Sequence, residues 1–244
     1  MIRRWPVLCV VLLVGALAVT GCGGDDEAAA TTVESVSPDV VALDVLGSVG
    51  PVSSTAGGDL ATVLLRPSTV AVVGDSLALS AEDEIRAALS AGSVDIVGFD
   101  GRENRRVARA LPDLPSGVDA VAALGMTVDP KLWIVALGTN DVGAQQSPED
   151  FRADVDALLA EIPAEDAVIW LDVWIQSRVE GSVAANAVLR EAAAERPGMS
   201  VVNWFQYGDD PGMIRDDGIH LDDAGREKFA EVMLAEVDQR FGPA

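Results

Sequence analysis

The chain has 244 residues, 49% of them hydrophobic, which is enough for one domain with a sizeable core. Its 39 acidic residues against 17 basic ones give a formal net charge of −22. That balance argues against a nucleic-acid partner, because binding to phosphates requires a basic surface. An acidic surface instead favours solubility.

The first residues have the pattern of an export signal. Arg3 and Arg4 precede an apolar stretch, residues 7–19, that is too short for a comfortable membrane span. The segment VTGC, ending at Cys22, resembles a bacterial lipobox, and the resemblance implies cleavage before Cys22 and a diacylglycerol on its thiol. An ordinary signal peptide with an incidental cysteine is the alternative. We therefore predict a signal peptide over residues 1–21 and anchoring to the outer face of the cell membrane through lipidated Cys22.

The mature protein would contain few groups for covalent or metal cross-links. The chain has two cysteines, and Cys9 lies in the predicted signal, so no disulfide framework is expected. Residues 22–68 comprise the lipidated Cys22 and a segment rich in small and polar residues. We predict a flexible tether there, with a root-mean-square span of roughly 35–40 Å.

From residue 69 onward, short apolar runs alternate with helical patterns. The strand-like runs are residues 70–73, 94–98, 132–137, 167–173 and 200–204. The helical patterns are residues 77–89, 148–162, 183–196 and 222–241. Such alternation predicts a parallel sheet covered on both faces. Residues 69–244 should therefore form a three-layer α/β/α sandwich with a five-stranded parallel sheet.

The first junction, Gly74-Asp75-Ser76, presents a serine directly after a strand. Ser76 is either a helix cap or a nucleophile, and a serine nucleophile needs a base within hydrogen-bond reach. His220 is the only histidine in the chain, so a serine–histidine mechanism has a single candidate base. Asp217, three residues earlier, is placed to orient the imidazole.

Two other loops offer donors for a developing oxyanion. Asn140, in Gly-Thr-Asn-Asp after the third strand, has an amide that can donate, although Asn is also common in turns. Gly101, after the second strand, can present its N–H, although it too is a typical turn residue. Because the carboxyl ends of parallel strands meet at one edge of the sheet, these loops and those of Ser76 and His220 should converge.

These blocks resemble those of the SGNH (GDSL) hydrolase family, whose fold is a flavodoxin-like α/β/α sandwich. The resemblance covers about 145 residues, from Gly74 to His220. It implies that Ser76 is the nucleophile, His220 the general base and then acid, and Asp217 the orienting carboxylate. It further implies an oxyanion hole made by the N–H groups of Ser76 and Gly101 and the side chain of Asn140.

Three shorter motifs, DGREN, VVNW and DGIHLDDAGR, narrow the resemblance. They are similar to the extracytoplasmic SGNH domains attached to membrane acyltransferases that O-acetylate cell-wall glycans. This sequence shows no multi-span acyltransferase portion of that kind, so water and a sugar hydroxyl both stay open as acceptors. We expect an exported, lipid-anchored serine esterase acting on esters, with acylated cell-wall glycan as a candidate substrate. The alternatives are an O-acetyltransferase and a non-catalytic glycan-binding lipoprotein.

Four arginines, Arg102, Arg105, Arg106 and Arg109, lie within eight residues of this acidic chain. They form either a solvated face that neutralises nearby acids or, through Arg102, a pocket wall that orients an acceptor or a substrate carboxylate. No cofactor and no metal are implied, since one histidine and no mature cysteine leave little for a zinc site. A carboxylate site for calcium stays open, and the sequence does not indicate an oligomeric state.

Overall fold

The computed structural model describes residues 65–244, so the predicted signal peptide, Cys22 and nearly all of the tether lie outside the described residues. Five parallel strands form one sheet in the order β2-β1-β3-β4-β5. They are β1 (Thr69–Gly74), β2 (Asp95–Gly101), β3 (Leu132–Ala136), β4 (Ala167–Leu171) and β5 (Met199–Val202). The predicted α/β sandwich with a five-stranded parallel sheet is confirmed.

Seven α-helices connect and cover these strands within the described part of the chain. They are α1 (Ser76–Ser80), α2 (Glu82–Ala91), α3 (Gly117–Gly125), α4 (Thr139–Gly143), α5 (Pro148–Ala160), α6 (Val179–Glu195) and α7 (Asp223–Phe241). The single helix predicted over residues 77–89 is two helices that meet at Ala81. The sequence analysis did not identify α3 or α4, and α4, with five residues, is too short to show a periodic pattern.

The sheet has a hydrophobic core on each face because both faces are covered. Alternate residues of β1 point to opposite sides: Ala71 and Val73 join a core with α3, α5 and α6, whereas Val70 and Val72 join one with α1, α2 and α7. The inner strand β3 is buried along its whole length. This burial on both sides explains why the inner strands read as continuous apolar runs.

Helix starts follow the chemistry of their first residues. The Ser147 hydroxyl accepts from the Asp150 N–H at 3.1 Å, and Pro148 follows at the first helical position. The cap and proline therefore set the start of α5, as the sequence predicts.

The domain begins slightly before β1. Nη1 of Arg66 lies 2.7 Å from Oδ1 of Asp238, and its Nη2 donates to the Gly92 carbonyl at 2.7 Å. Arg66 also donates to the carbonyl of Gly242. Arg66, which the sequence analysis assigned to the tether, is thus fixed to α7 and to the end of α2. Among residues 65–244, no helix is long and apolar enough to cross a membrane.

Candidate active site

Ser76 opens α1 immediately after β1, at the carboxyl edge of the sheet. The cap of this helix is Asp75, whose Oδ1 accepts from the Leu77 N–H at 2.9 Å. The Asp75 N–H donates to the Ala136 carbonyl at 3.1 Å, which fixes the junction to the neighbouring strand β3. The capping role considered for Ser76 therefore belongs to Asp75, and the Ser76 hydroxyl faces the cleft.

Three side chains from the two ends of the domain form a continuous hydrogen-bonded chain. Nε2 of His220 lies 3.2 Å from Oγ of Ser76, and Nδ1 of His220 lies 2.9 Å from Oδ2 of Asp217. In this geometry the carboxylate holds Nδ1 as the protonated nitrogen and leaves Nε2 free to accept a proton from the serine.

Backbone hydrogen bonds shape the loop that carries Asp217 and His220. Oδ1 of Asp217 accepts from the N–H groups of Ile219 and His220, each at 2.9 Å. Gly218, between Asp217 and Ile219, has a φ of 72°, a left-handed conformation that favours glycine. The Gln176 N–H donates to the Gly218 carbonyl at 2.9 Å, so the segment after β4 supports the loop.

The pKa values of the two aspartates next to Ser76 and His220 are shifted in opposite directions. Partial desolvation works to raise the pKa of Asp217, but hydrogen bonds from the His220 backbone and ring and from the Ile219 N–H outweigh it and lower that pKa to about 2. Asp75 is fully buried, and desolvation raises its pKa to about 7 despite the Leu77 N–H. Asp217 is thus ionised at neutral pH, as an orienting carboxylate requires.

Asn140 lies in α4, the one-turn helix after β3, rather than in an open loop. Its Nδ2 donates one hydrogen to the Arg105 carbonyl at 3.0 Å, which leaves the second hydrogen for another acceptor. The Arg105 side chain is fully buried and pairs with Asp100 at 2.9 Å, with a further bond to the Gly74 carbonyl at 3.3 Å. Arg105 therefore locks the segment after β2 against β1 and, through its carbonyl, orients Asn140.

The two candidate backbone donors, the N–H groups of Ser76 and Gly101, lie differently relative to the nucleophile. Among residues 65–244 the Ser76 N–H has no acceptor, as expected at the first position of a helix. The Arg102 N–H bonds the Gly74 carbonyl at 3.1 Å, so the alternation of a strand turns the Gly101 N–H away from β1. A Cβ at Gly101 would lie 3.0 Å from the backbone of Leu79, so glycine also permits the close approach of α1.

A cleft of about 360 Å³ opens at Ser76. It is lined by Ser76, Glu103, Asn104, Thr139, Asn140, Gly143, Ile175, Ile219 and His220. Neither Gly101 nor Arg102 is part of this lining; the Arg102 side chain is exposed and pairs with Asp100 at 3.0 Å. Of the two alternatives for Arg102, the geometry favours the solvated face that neutralises nearby acids, because its side chain folds back onto Asp100 of β2.

Sequence reasoning did not identify the residues that complete the cleft. Glu103 and Asn104 lie two and three residues after the candidate oxyanion glycine, and Asn104 has a φ of 60°, a conformation that asparagine tolerates better than most residues. Ile175 and Ile219 supply apolar wall on the histidine side. A short polar segment after each strand was the available signal, but the direction of each side chain depends on the folded loop.

Residues 65–244 contain no group of three or more histidine, cysteine or acidic side chains arranged to hold a metal ion. The candidate functional side chains are those of the hydrogen-bonded chain, Ser76, His220 and Asp217, together with Asn140. This set of groups can perform acyl transfer through a serine nucleophile.

Comparison with solved structures identifies the fold. The catalytic domain of peptidoglycan O-acetyltransferase A from Streptococcus pneumoniae is 18% identical with a TM-score of 0.56, covering 74% of this chain and 97% of that one. A lipase/acylhydrolase from Enterococcus faecalis is 18% identical with a TM-score of 0.58, covering 72% and 98%. A carbohydrate acetylesterase from Sinorhizobium meliloti is 16% identical with a TM-score of 0.56, covering 70% and 98%.

Sequence comparison identifies the family. Comparison with curated protein sequences gave no match. The profile of the GDSL-like lipase/acylhydrolase family, however, matches residues 67–228, which includes every residue of the hydrogen-bonded chain and both candidate oxyanion donors outside it. The chain belongs to this family, and it is an SGNH-type esterase or O-acyltransferase.

Proposed function

We propose that the protein is a lipid-anchored serine esterase that acts outside the cytoplasmic membrane on acylated cell-wall glycan. The observation that carries the catalytic part is the chain from Ser76 Oγ to His220 Nε2, 3.2 Å, and from His220 Nδ1 to Asp217 Oδ2, 2.9 Å. These distances are those of a nucleophile, a base and the group that orients the base.

The first half-reaction forms an acyl-enzyme. His220 Nε2 accepts the hydroxyl proton as Ser76 Oγ attacks the ester carbonyl carbon. The oxyanion accepts hydrogen bonds from the Ser76 N–H and the second Nδ2 hydrogen of Asn140, and the family resemblance implies the Gly101 N–H as a third donor. The tetrahedral intermediate then collapses, and His220 returns the proton to the departing alkoxide.

The second half-reaction releases the acid. His220 takes a proton from a water molecule, the resulting hydroxide attacks the acyl carbon on Ser76, and the same donors stabilise the second oxyanion. Collapse breaks the bond to Oγ, and His220 returns the proton to the serine. Asp217, whose pKa is about 2, stays ionised and stabilises the imidazolium in both halves.

The proposal that the substrate is a glycan rests on similarity to other proteins and on the expected location of the enzyme. The motifs DGREN and DGIHLDDAGR are similar to those of SGNH domains that act on cell-wall sugars. Similar structures include a peptidoglycan O-acetyltransferase domain and a carbohydrate acetylesterase. The lipobox-like segment ending at Cys22 would place the enzyme where such glycans lie.

An active-site label and an ester screen test the catalytic proposal. Full-length protein in detergent is treated with a fluorophosphonate and, separately, with acetyl, butyryl and longer esters and with acetylated glycan. We expect labelling on Ser76 and release of acetate. Absence of both labelling and hydrolysis would refute an esterase and favour the glycan-binding alternative. The location is tested by mass spectrometry of the mature N-terminus, where a residue other than modified Cys22 would contradict the lipid anchor.

An O-acetyltransferase is the second candidate, favoured by the structural likeness to an O-acetyltransferase catalytic domain. In that reaction a sugar hydroxyl replaces water in the second half-reaction. Incubation with excess acyl donor and unacetylated glycan distinguishes the two: acetylated sugar supports the transferase, and free acetate alone supports the esterase.

A further inference from the structure

A shallow groove of about 280 Å³ extends the Ser76 cleft on the side of Asn140. The groove is lined by Asn104, Arg106, Leu111, Asn140, Gly143 and Ala144. It shares Asn104, Asn140 and Gly143 with the cleft, so the two form one continuous depression. Neither His220 nor Ile219 contributes to it, and the groove therefore lies on the Asn140 side of the nucleophile, away from the base.

Arg106 is the charged side chain of this groove and has no protein partner within residues 65–244. It is half-buried, with no acidic oxygen within 4.0 Å and no hydrogen bond from its guanidinium. The other arginines of the cluster are paired: Arg105 with Asp100 at 2.9 Å, and Arg109 with Asp150 at 3.4 Å. Asp141 lies close enough for the charge of Arg106 to act on it, but beyond the 4.0 Å of an ion pair, so the guanidinium is left open to the groove.

Backbone contacts on both sides hold Arg106 in place. Its carbonyl accepts from the Gly117 N–H at 2.9 Å, at the start of α3. The preceding carbonyl, of Arg105, accepts from Asn140, and the following N–H, of Val107, donates to Asp141 Oδ2 at 3.2 Å. The main chain that presents the guanidinium is thus fixed relative to the oxyanion donor, which lowers the entropic cost of binding a ligand.

We propose that Arg106 is a specificity-determining residue that binds a carboxylate carried by the acyl half of the ester. The inference rests on the proposed esterase mechanism, in which the alcohol oxygen must leave beside His220. The acyl half then extends along the other side of the nucleophile, towards Asn140 and the groove. A guanidinium matches a carboxylate in geometry and charge, and it binds most strongly where it is partly shielded from water.

The test uses two matched pairs of esters on full-length protein. The acyl-side pair is mono-4-nitrophenyl adipate and its terminal carboxamide; the alcohol-side pair is 4-acetoxybenzoate and 4-acetoxybenzamide. Spontaneous hydrolysis is subtracted throughout. The variants are Arg106→Gln, which removes the charge, Arg106→Lys, which keeps it, and Arg109→Gln as the matched control from the same cluster. Thermal unfolding of each variant is measured in parallel.

We expect wild type to prefer the adipate over its carboxamide in kcat/KM, and Arg106→Gln to reduce that preference about tenfold, mainly through KM. Arg106→Lys should retain part of it, Arg109→Gln all of it, and 0.5 M salt should weaken it by screening. An unchanged preference in a folded Arg106→Gln variant overturns the proposal, as does a preference confined to the alcohol-side pair. If none of the four esters is hydrolysed, the esterase proposal itself fails, whereas hydrolysis without charge preference refutes only the role of Arg106.

Discussion

The two halves of the candidate active site are held in different ways. Ser76 sits at the end of an inner strand, above the fully buried Asp75 and beside the backbone of β3. Asp217 and His220 lie in a surface loop, with side chains 47% and 42% exposed, and short-range hydrogen bonds fix them. The core therefore sets the position of the nucleophile, whereas the local turn sets that of the base. Substitutions of Ser76 and Asp217 should therefore lower activity with little effect on stability, whereas a substitution of the buried Asp75 beneath the nucleophile should change stability.

The largest effect is expected for Ser76→Ala. It removes the nucleophile but little packing, because the hydroxyl faces the cleft and the cap of α1 is Asp75. In serine hydrolases the loss of the nucleophile costs on the order of 10⁶ in kcat. We expect no detectable turnover and an unchanged melting temperature. Comparable rates in wild type and variant, at matched purity, would show that another residue attacks the ester.

The second-largest loss of activity is expected for a substitution in the surface loop that carries Asp217 and His220. Asp217→Asn should lower kcat by about 10⁴, because the amide can favour the wrong imidazole tautomer. Since Asp217 is half-exposed, the melting temperature should change little. The comparison is made with Asp216→Asn, the neighbouring acid, which has no bond to His220 in the structure. A variant of Asp217 near full rate would show that Ser76 and His220 act without an orienting carboxylate.

An intermediate effect is expected for Asn140→Ala. Removing one oxyanion donor typically costs about 10²–10³ in rate, and the loss should fall on kcat with KM nearly unchanged. Slow labelling by a fluorophosphonate should persist, because Ser76 and His220 remain. A turn-forming role predicts the reverse pattern: a melting temperature several degrees lower and most of kcat retained.

The smallest expected effect is the change in the stability of the folded protein with pH. Burial is the main cause that raises the pKa of Asp75 to about 7 and the pKa values of Asp141 and Asp172 to about 6. The folded state therefore binds protons that the unfolded chain releases above pH 3.8, and stability should fall as pH rises towards 7. For Asp75 alone the loss between pH 5.5 and pH 8 is about 2 kcal/mol.

Urea unfolding at the two pH values measures this difference, and Asp75→Asn, which keeps the cap, should reduce it. A midpoint that does not decrease from pH 5.5 to pH 8 would contradict the raised pKa values.

The sequence was sufficient to predict the parallel framework, and it placed the candidate residues Ser76, Asp217 and His220 in loops that the fold brings together. Inner strands such as β1 and β3 are buried on both faces, so their apolar runs are easily recognised, and parallel topology brings the following loops together. The capping role of Asp75 and the support of Asn140 by the Arg105 carbonyl were not foreseen. Both depend on how adjacent loops pack, and so does the position of Arg106, rather than Arg102, in the groove beside the cleft. Residue order within a loop does not determine side-chain direction.

The attachment of Arg66 to α7 and to the end of α2 sets the point at which the chain enters the domain. The chain reaches the domain at the amino end of β1, and Ser76 follows its carboxyl end, so the strand, roughly 20 Å long, separates the two. Whatever precedes residue 65 is joined to the edge of the sheet opposite the cleft. In the proposed lipoprotein, the tether would thus be attached at the end of the sheet away from the cleft, so the attachment itself does not cover Ser76.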